Sequence, residues 1–270
     1  VASIYRRGKS FFRRVGLRYG LLQPKLQYPC NEVMLRTDAG RAPSRWRKHC
    51  SAFVAKTLGY KRISVIEFGV AAGGGLIELE KIAAEVAQIT GVAIDVYGFD
   101  TGGGLTRPVD YRDLPQLWGE GDYGMDENKL RARLRQAKLI LGPVAETIAD
   151  FIASKPAPVG FVSFDMDMYS STMHAFELFR AEPDILMPRV HCYFDDIVGF
   201  SHGDFNGERL AISEFNQHGD KRKISPIYGL RHVLDIDRVW TQMMYLFHAF
   251  DHPRYTDFDG SNFVRDIPME

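Results

Sequence analysis

The chain has 270 residues, of which 45% are hydrophobic and 25% charged, proportions typical of a folded globular protein. These values exclude a disordered, collagen-like or low-complexity chain. Lys and Arg number 34 and Asp and Glu number 34, so the formal charge is zero. That balance argues against a nucleic-acid partner, because such proteins carry a basic surplus.

The charge is uneven at the start. No acid precedes Glu32, and Arg6, Arg7, Lys9, Arg13, Arg14, Arg18 and Lys25 interleave with Phe11, Phe12, Val15, Leu17, Leu21 and Leu22. A basic amphipathic arm of this kind has two readings. It packs on its own domain or on a second copy in a homodimer, or it contacts an anionic membrane surface or an acidic partner. No apolar core and cleavage site follow the basic residues, so no signal peptide is expected. No uncharged apolar run approaches the ~18 residues of a membrane helix. The three cysteines, Cys30, Cys50 and Cys192, form no CxxC, and a reducing, cytoplasmic setting is expected.

Along the chain, Ser44 would cap a helix running to Thr57, stopped by Gly59. Arg62 to Phe68 reads as a buried strand, and a glycine-rich turn follows. A helix is expected from Gly75 to Thr90, since Leu79, Ile82, Val86 and Ile89 recur at three- and four-residue steps. Val92 to Phe99 is the next strand and ends in Asp100. A Gly/Pro-rich loop covers Thr101 to Asp126. A basic helix is expected over Glu127–Ala137, a strand over Lys138–Leu141 and a helix over Val144–Ala153. Val159–Asp165 is a strand, Ser171–Arg180 a helix, Arg189–Asp195 a strand and Glu208–Gln217 a helix. Val239 to Phe247 is β-rich. Alternating strands and helices predict an α/β fold with a doubly wound, mostly parallel sheet. Ligands of such sheets sit beyond the carboxyl ends of the strands. Asp100, Asp165, and Asp195 with Asp196 fall at those ends, as site acids or as plain caps.

The turn Gly69-Val70-Ala71-Ala72-Gly73-Gly74-Gly75 lets a backbone approach a ligand closely. It is neither GxGxxG nor a P-loop, so the dinucleotide and triphosphate fingerprints are absent. Asp100 ends the following strand, where an acid can hold the two hydroxyls of a ribose. The combination points to a nucleoside cofactor, S-adenosylmethionine before NAD.

Glu67-Phe68-Gly69-Val70-Ala71-Ala72-Gly73 resembles motif I of class I S-adenosylmethionine-dependent methyltransferases. In order follow Phe99-Asp100-Thr101, Phe164-Asp165-Met166-Asp167-Met168-Tyr169-Ser170-Ser171-Thr172, Phe194-Asp195-Asp196 and the segment Gly207 to Phe215. Together, over Ile63 to Phe215, these resemble the macrocin-type sugar O-methyltransferases, which are metal-dependent. The resemblance implies a Rossmann-like seven-stranded sheet, with a methyltransferase domain over 59–270 and an N-terminal helical extension over 1–58. It implies that Asp165, Asp195 and Asp196 bind a divalent cation, magnesium above all, and that Asp167 is the general base. It places Glu67, Gly69, Ala71 and Gly73 on the methionine side of the cofactor, with Asp100 on the ribose and Thr101 beside it. The substrate would be a small molecule or glycan. The chain departs from that family inside motif I, at Ala71 and Ala72, in the loop after Asp100, and at Gly142-Pro143.

The residue types suit the chemistry. A cation bound to neighbouring hydroxyls fixes an acceptor oxygen and lowers its pKa, and magnesium prefers oxygen ligands. If Asp165 and Asp167 share an extended strand they face one side. Adjacent Asp195 and Asp196 need a bend to share one ion. His202 competes with Asp167 for the base role, ahead of His174 and His191, since histidine titrates nearer neutrality. The aromatics of the 105–126 loop, Tyr111, Trp118 and Tyr123, suit a sugar face or a self-packed loop. Two other readings remain: a metal-independent small-molecule methyltransferase, and a catalytically silent binding protein docked through its basic arm.

Overall fold

The computed structural model describes residues 51–199, 201–231 and 239–257. The basic arm, the Ser44 cap, Cys30 and Cys50 lie outside them. Helix α1 (Ser51–Thr57) is followed by β1 (Arg62–Phe68), α2 (Gly74–Thr90) and β2 (Ala93–Asp100). Next come α3 (Glu127–Arg131), β3 (Lys138–Leu141), α4 (Val144–Ala153), β4 (Val159–Phe164) and α5 (Tyr169–Ala175). The chain then forms β5 (Leu186–Phe194), α6 (Gly207–His218), β6 (Arg222–Pro226) and β7 (Met244–Ala249). The seven strands form one sheet in the order β3-β2-β1-β4-β5-β7-β6. The first five pair in parallel, and β7 runs antiparallel between β5 and β6. The doubly wound, mostly parallel seven-stranded sheet expected from the sequence is therefore present.

Register explains where the site falls. Phe68 pairs with Phe99 and with Phe164, and Phe164 pairs with Phe194. These four rings are at most 2% exposed. They form a row across the sheet, with centroids 4.8 Å apart for Phe68–Phe99, 5.6 Å for Phe68–Phe164 and 4.5 Å for Phe164–Phe194. Each such pair adds about 0.5–1.5 kcal/mol beyond its burial. The row pins the four strand ends at one level. The residues that follow, Gly69, Asp100, Asp165 and Asp195, therefore emerge side by side.

Several elements differ from the sequence expectation. The basic helix stops at Arg131 instead of Ala137. The reason is Glu80 of α2, whose buried carboxylate accepts hydrogen bonds from the backbone N–H groups of Arg135 (3.0 Å), Gln136 and Ala137 (2.6 Å). Those donors face α2 and are lost to any helix. The helix expected over Ser171–Arg180 is α5 plus a 3-10 turn, Phe176–Arg180. Val239–Gln242 is likewise a 3-10 turn ahead of β7. Strand β6, RKISP, was not expected. It is charged, ends in proline and forms the sheet edge, where such residues belong. Helix α1 packs on the same core, with Ala52 and Ala55 fully buried and the Ser51 hydroxyl 2.8 Å from His191 Nδ1. Among the described residues, no helix is long and apolar enough to cross a membrane.

Candidate active site

A cavity of about 500 Å³ opens beyond the carboxyl ends of β1, β2, β4 and β5. Its first wall is the glycine turn. Gly69 has φ +82° and Ala71 φ +45°, and Gly73 (φ +80°) caps α2. The Asp100 carboxylate ties this turn down. Its Oδ2 accepts from the N–H groups of Val70 (2.9 Å) and Ala71 (2.8 Å), and its Oδ1 from Gly102 (2.7 Å). Oδ2 thus has both lone-pair sites taken, while Oδ1 keeps one, which leaves room for one ligand hydroxyl. Thr101 Oγ1 donates to the carbonyl of Gly104 and accepts from Gly103 N–H at 3.2 Å, which closes the next bend.

Glu67 lies behind this wall, 3% exposed, and its Oε2 has no hydrogen-bond partner. Burial first, then the charges of Asp100 and Asp195, hold its carboxyl well above the usual range. Gly73 is away from the cavity, and a Cβ there would meet the Leu130 side chain at 2.1 Å.

The second wall is acidic. One oxygen each from Asp165, Asp195 and Asp196 lies within 4.8 Å of the others. Backbone bonds extend the sheet by one residue to hold two of them: Asp165 N–H donates to the carbonyl of Phe68 (2.9 Å) and Asp195 N–H to that of Phe164 (3.0 Å). The chain then bends. Asp196 N–H donates to Glu208 Oε2 at 3.1 Å, and His202 Nδ1–H donates to the carbonyl of Asp196. The Tyr193 hydroxyl donates to Asp195 Oδ1. This is the bend that two adjacent aspartates need if they are to face one point.

Asp167 also lines the cavity, but not by strand alternation with Asp165. Strand β4 ends at Phe164, and Asp167 is left-handed, with φ +61°. Its N–H donates to Asp196 Oδ2 at 2.9 Å, which holds this uncommon conformation. Asp167 is 7% exposed. Burial first, then the charge of Asp195, push its carboxyl up to about 6, against a lowering hydrogen bond from Asp196. The Asp165 carboxyl stands well above its ordinary value through burial, then through Asp196, Asp195, Glu67 and Asp167. Asp196 is raised by burial, then by Asp167 and Asp195. Like charges packed in a half-dry site want a cation among them.

Of the residues singled out in the sequence, Gly69, Ala71, Asp100, Thr101, Asp165, Asp167, Asp195 and Asp196 all line this one cavity. Glu67 is buried behind it and Gly73 lies outside it. Of the histidines, His174 lines the cavity, while His191 is 4% exposed within β5. Two acids escaped sequence reasoning. Glu208 opens α6, fully buried. Asp113, 1% exposed, accepts from Ser170 N–H (2.8 Å), the Ser170 hydroxyl (2.9 Å) and Val109 N–H (2.8 Å). It fastens the long loop to the start of α5. Glu208 lies in the Gly207–Phe215 segment of the resemblance, but that gives it no role, and nothing in the local sequence separates Asp113 from an ordinary loop acid.

The strand order, the single reversed strand and a cavity at the strand ends define a class I methyltransferase fold. Among solved structures, the calicheamicin methyltransferase CalS11 is similar with a TM-score of 0.52 at 18% identity, over 73% of this chain and 76% of that one. The O-methyltransferase NovP aligns over 81% of this chain and 87% of its own, with a TM-score of 0.46 at 13% identity. No family model matches the chain, and no curated protein matches it.

Proposed function

We propose that the protein is an S-adenosylmethionine-dependent O-methyltransferase that acts on a hydroxyl of a sugar or glycosylated compound with the help of a divalent cation. The observation that carries this reading is the convergence of Asp165, Asp195 and Asp196 within 4.8 Å, in the same cavity as the glycine turn. The fold shared with CalS11, named a calicheamicin methyltransferase, supports it.

The residues fit both groups. Glu67 Oε2, buried without a partner, suits the ammonium of the cofactor's methionine part. The left-handed turn at Gly69 and Ala71 presents backbone to that part, and Asp100 has acceptor capacity left for the ribose. Asp165, Asp195 and Asp196 offer hard oxygen donors of the kind magnesium takes. When bound, the cofactor supplies a methyl group activated on a sulfonium, and the cation supplies charge that lowers the pKa of a neighbouring hydroxyl.

The chain does the rest. The three aspartates and the glycine turn, anchored at the carboxyl ends of the central strands, hold acceptor and donor at fixed positions, an effect that can contribute about 7–11 kcal/mol. Asp167 takes the acceptor's proton. With its carboxyl at about 6, it is ionised at neutral pH and still a stronger base than an ordinary aspartate. Trp118 and Tyr123, with centroids 6.1 Å apart, offer apolar faces to a sugar ring on the open side.

Calorimetry with S-adenosylhomocysteine, with and without Mg2+, followed by mass spectrometry of a glycoside panel incubated with S-adenosylmethionine, tests this reading. Micromolar cofactor binding and a 14-dalton gain on a glycoside, abolished by chelator, are expected. No cofactor binding in either condition overturns it.

A further inference from the structure

We infer that Glu208 is a positioning residue of the carboxylate cluster, holding the bend at Asp195–Asp196 so that both side chains face one ion. This rests on the cluster being a cation site. The problem it solves is geometric. Adjacent residues of an extended chain point to opposite faces, so Asp195 and Asp196 converge only if the chain turns between them. Up to Asp195 the backbone is held by the sheet, whose last bond here runs from Asp195 N–H to Phe164. At Asp196 the N–H leaves the sheet, and Glu208 Oε2 accepts it at 3.1 Å. The carboxylate thus replaces a strand partner where the strand must end.

The burial of Glu208 calls for a partner, and Asp196 N–H supplies one. It is 0% exposed, and its second oxygen has no hydrogen-bond partner. A glutamate is seldom buried this way, and an unsatisfied buried oxygen costs free energy. An apolar residue at this site would avoid that cost, except that it would leave Asp196 N–H unpaired. The link then continues outward: Asp196 Oδ2 in turn accepts from Asp167 N–H at 2.9 Å. Glu208 therefore sets Asp196, and through it the left-handed turn that carries Asp167. The start of α6 is fitted to this task. Gly207 has φ +53°, and the position of its missing side chain lies 3.7 Å from the Asp167 carbonyl. That brings the first turn of the helix against the acidic wall.

The test is Mn2+ binding by the full chain, read from the electron paramagnetic resonance of free Mn2+, for wild type, Glu208→Gln and Glu208→Leu. Circular dichroism and S-adenosylhomocysteine affinity serve as controls. Gln keeps an oxygen acceptor for Asp196 N–H, so its Mn2+ affinity is expected within about threefold of wild type. Leu fills the site without accepting, and a loss of about tenfold or more is expected, as for outer partners of metal ligands. A Leu variant that binds Mn2+ as wild type does overturns the inference. So does a Gln variant that loses as much as Leu, because charge and not the accepted bond would then matter. If the Leu variant does not fold, Glu208→Met, which also lacks an acceptor, takes its place: a tenfold loss beside retention in Gln supports the role, and wild-type affinity overturns it. A wild type that binds S-adenosylhomocysteine but no Mn2+ removes the cation reading itself, which separates that failure from failure of the variants.

Discussion

A Cβ atom at Gly69 would lie 1.7 Å from the carbonyl oxygen of Asp165. The glycine turn after β1 and the acidic end of β4 therefore touch backbone to backbone, and one residue without a side chain is needed for both to exist. Gly69→Ala must move Asp165 or the turn, and it adds strain at φ +82°. A loss of about 2 kcal/mol or more is expected, which lowers the Tm by roughly 5 °C or more. Differential scanning fluorimetry reads the shift. Calorimetry with S-adenosylhomocysteine and Mn2+ should show both affinities falling together, not the cofactor's alone.

The acidic wall gives the protein a stability that depends on pH. The carboxyl of Asp167 stands at about 6 when folded and near 3.9 in an unfolded chain. Between those values the folded form holds the proton that the unfolded form has released, so stability falls as pH rises from about 4 through 6. The raised carboxyls of Asp165, Asp196 and Glu67 act in the same direction. In chelator, the Tm is expected to decline over that window, and added Mg2+ should restore it at neutral pH. Asp167→Asn removes one of the repelling charges while tolerating the left-handed turn. At pH 7.5 in chelator it should melt above wild type by a few degrees, on the order of 1–2 kcal/mol, while methyl transfer drops a hundredfold or more.

The outline of the fold was legible because burial and periodicity coincide in it. Strands β1 and β3 and helix α4 begin and end where their residue patterns do. The line of site acids was legible because Asp100, Asp165 and Asp195 each follow a buried phenylalanine at the end of a strand, with Asp196 next to the last. What escaped the sequence is what tertiary partners decide. Glu80 cuts α3 short by capturing three backbone donors 55 to 57 residues away. Asp167 would face the side of Asp165 only if the strand ran on past Asp165, but its N–H donates to Asp196 and its backbone is left-handed instead. Glu208 and Asp113 look like ordinary surface acids until the elements that bury them are in place.

Asp113 makes the long loop a fixed wall. Its two oxygens take three donors, from Ser170 and Val109, and the neighbouring Arg112 lies 4.5 Å from the Tyr169 ring centroid. Asp113→Ala leaves those donors unpaired beside a void, at a cost of about 2–4 kcal/mol. Limited proteolysis should then cut within residues 105–121 before any other site, which wild type resists. S-adenosylhomocysteine affinity should change less than threefold, since the glycine turn is held separately by Asp100.

Tyr123 sits where stability and function pull apart. It is a tyrosine at φ +63°, 54% exposed, which costs about 1–2 kcal/mol relative to glycine. It lines the same cavity as the acidic wall, and burial first, then the charges of Asp167, Asp196, Asp122 and Asp165, hold its phenol above the usual value. On the proposed reading, a strained, exposed aromatic at the cavity mouth would serve as an acceptor contact. Tyr123→Gly should raise the Tm slightly or leave it unchanged, and leave S-adenosylhomocysteine affinity intact. For any glycoside that wild type methylates, the KM should rise about tenfold, with a smaller change in kcat. Equal losses of cofactor and acceptor binding would instead assign the ring to packing of the loop.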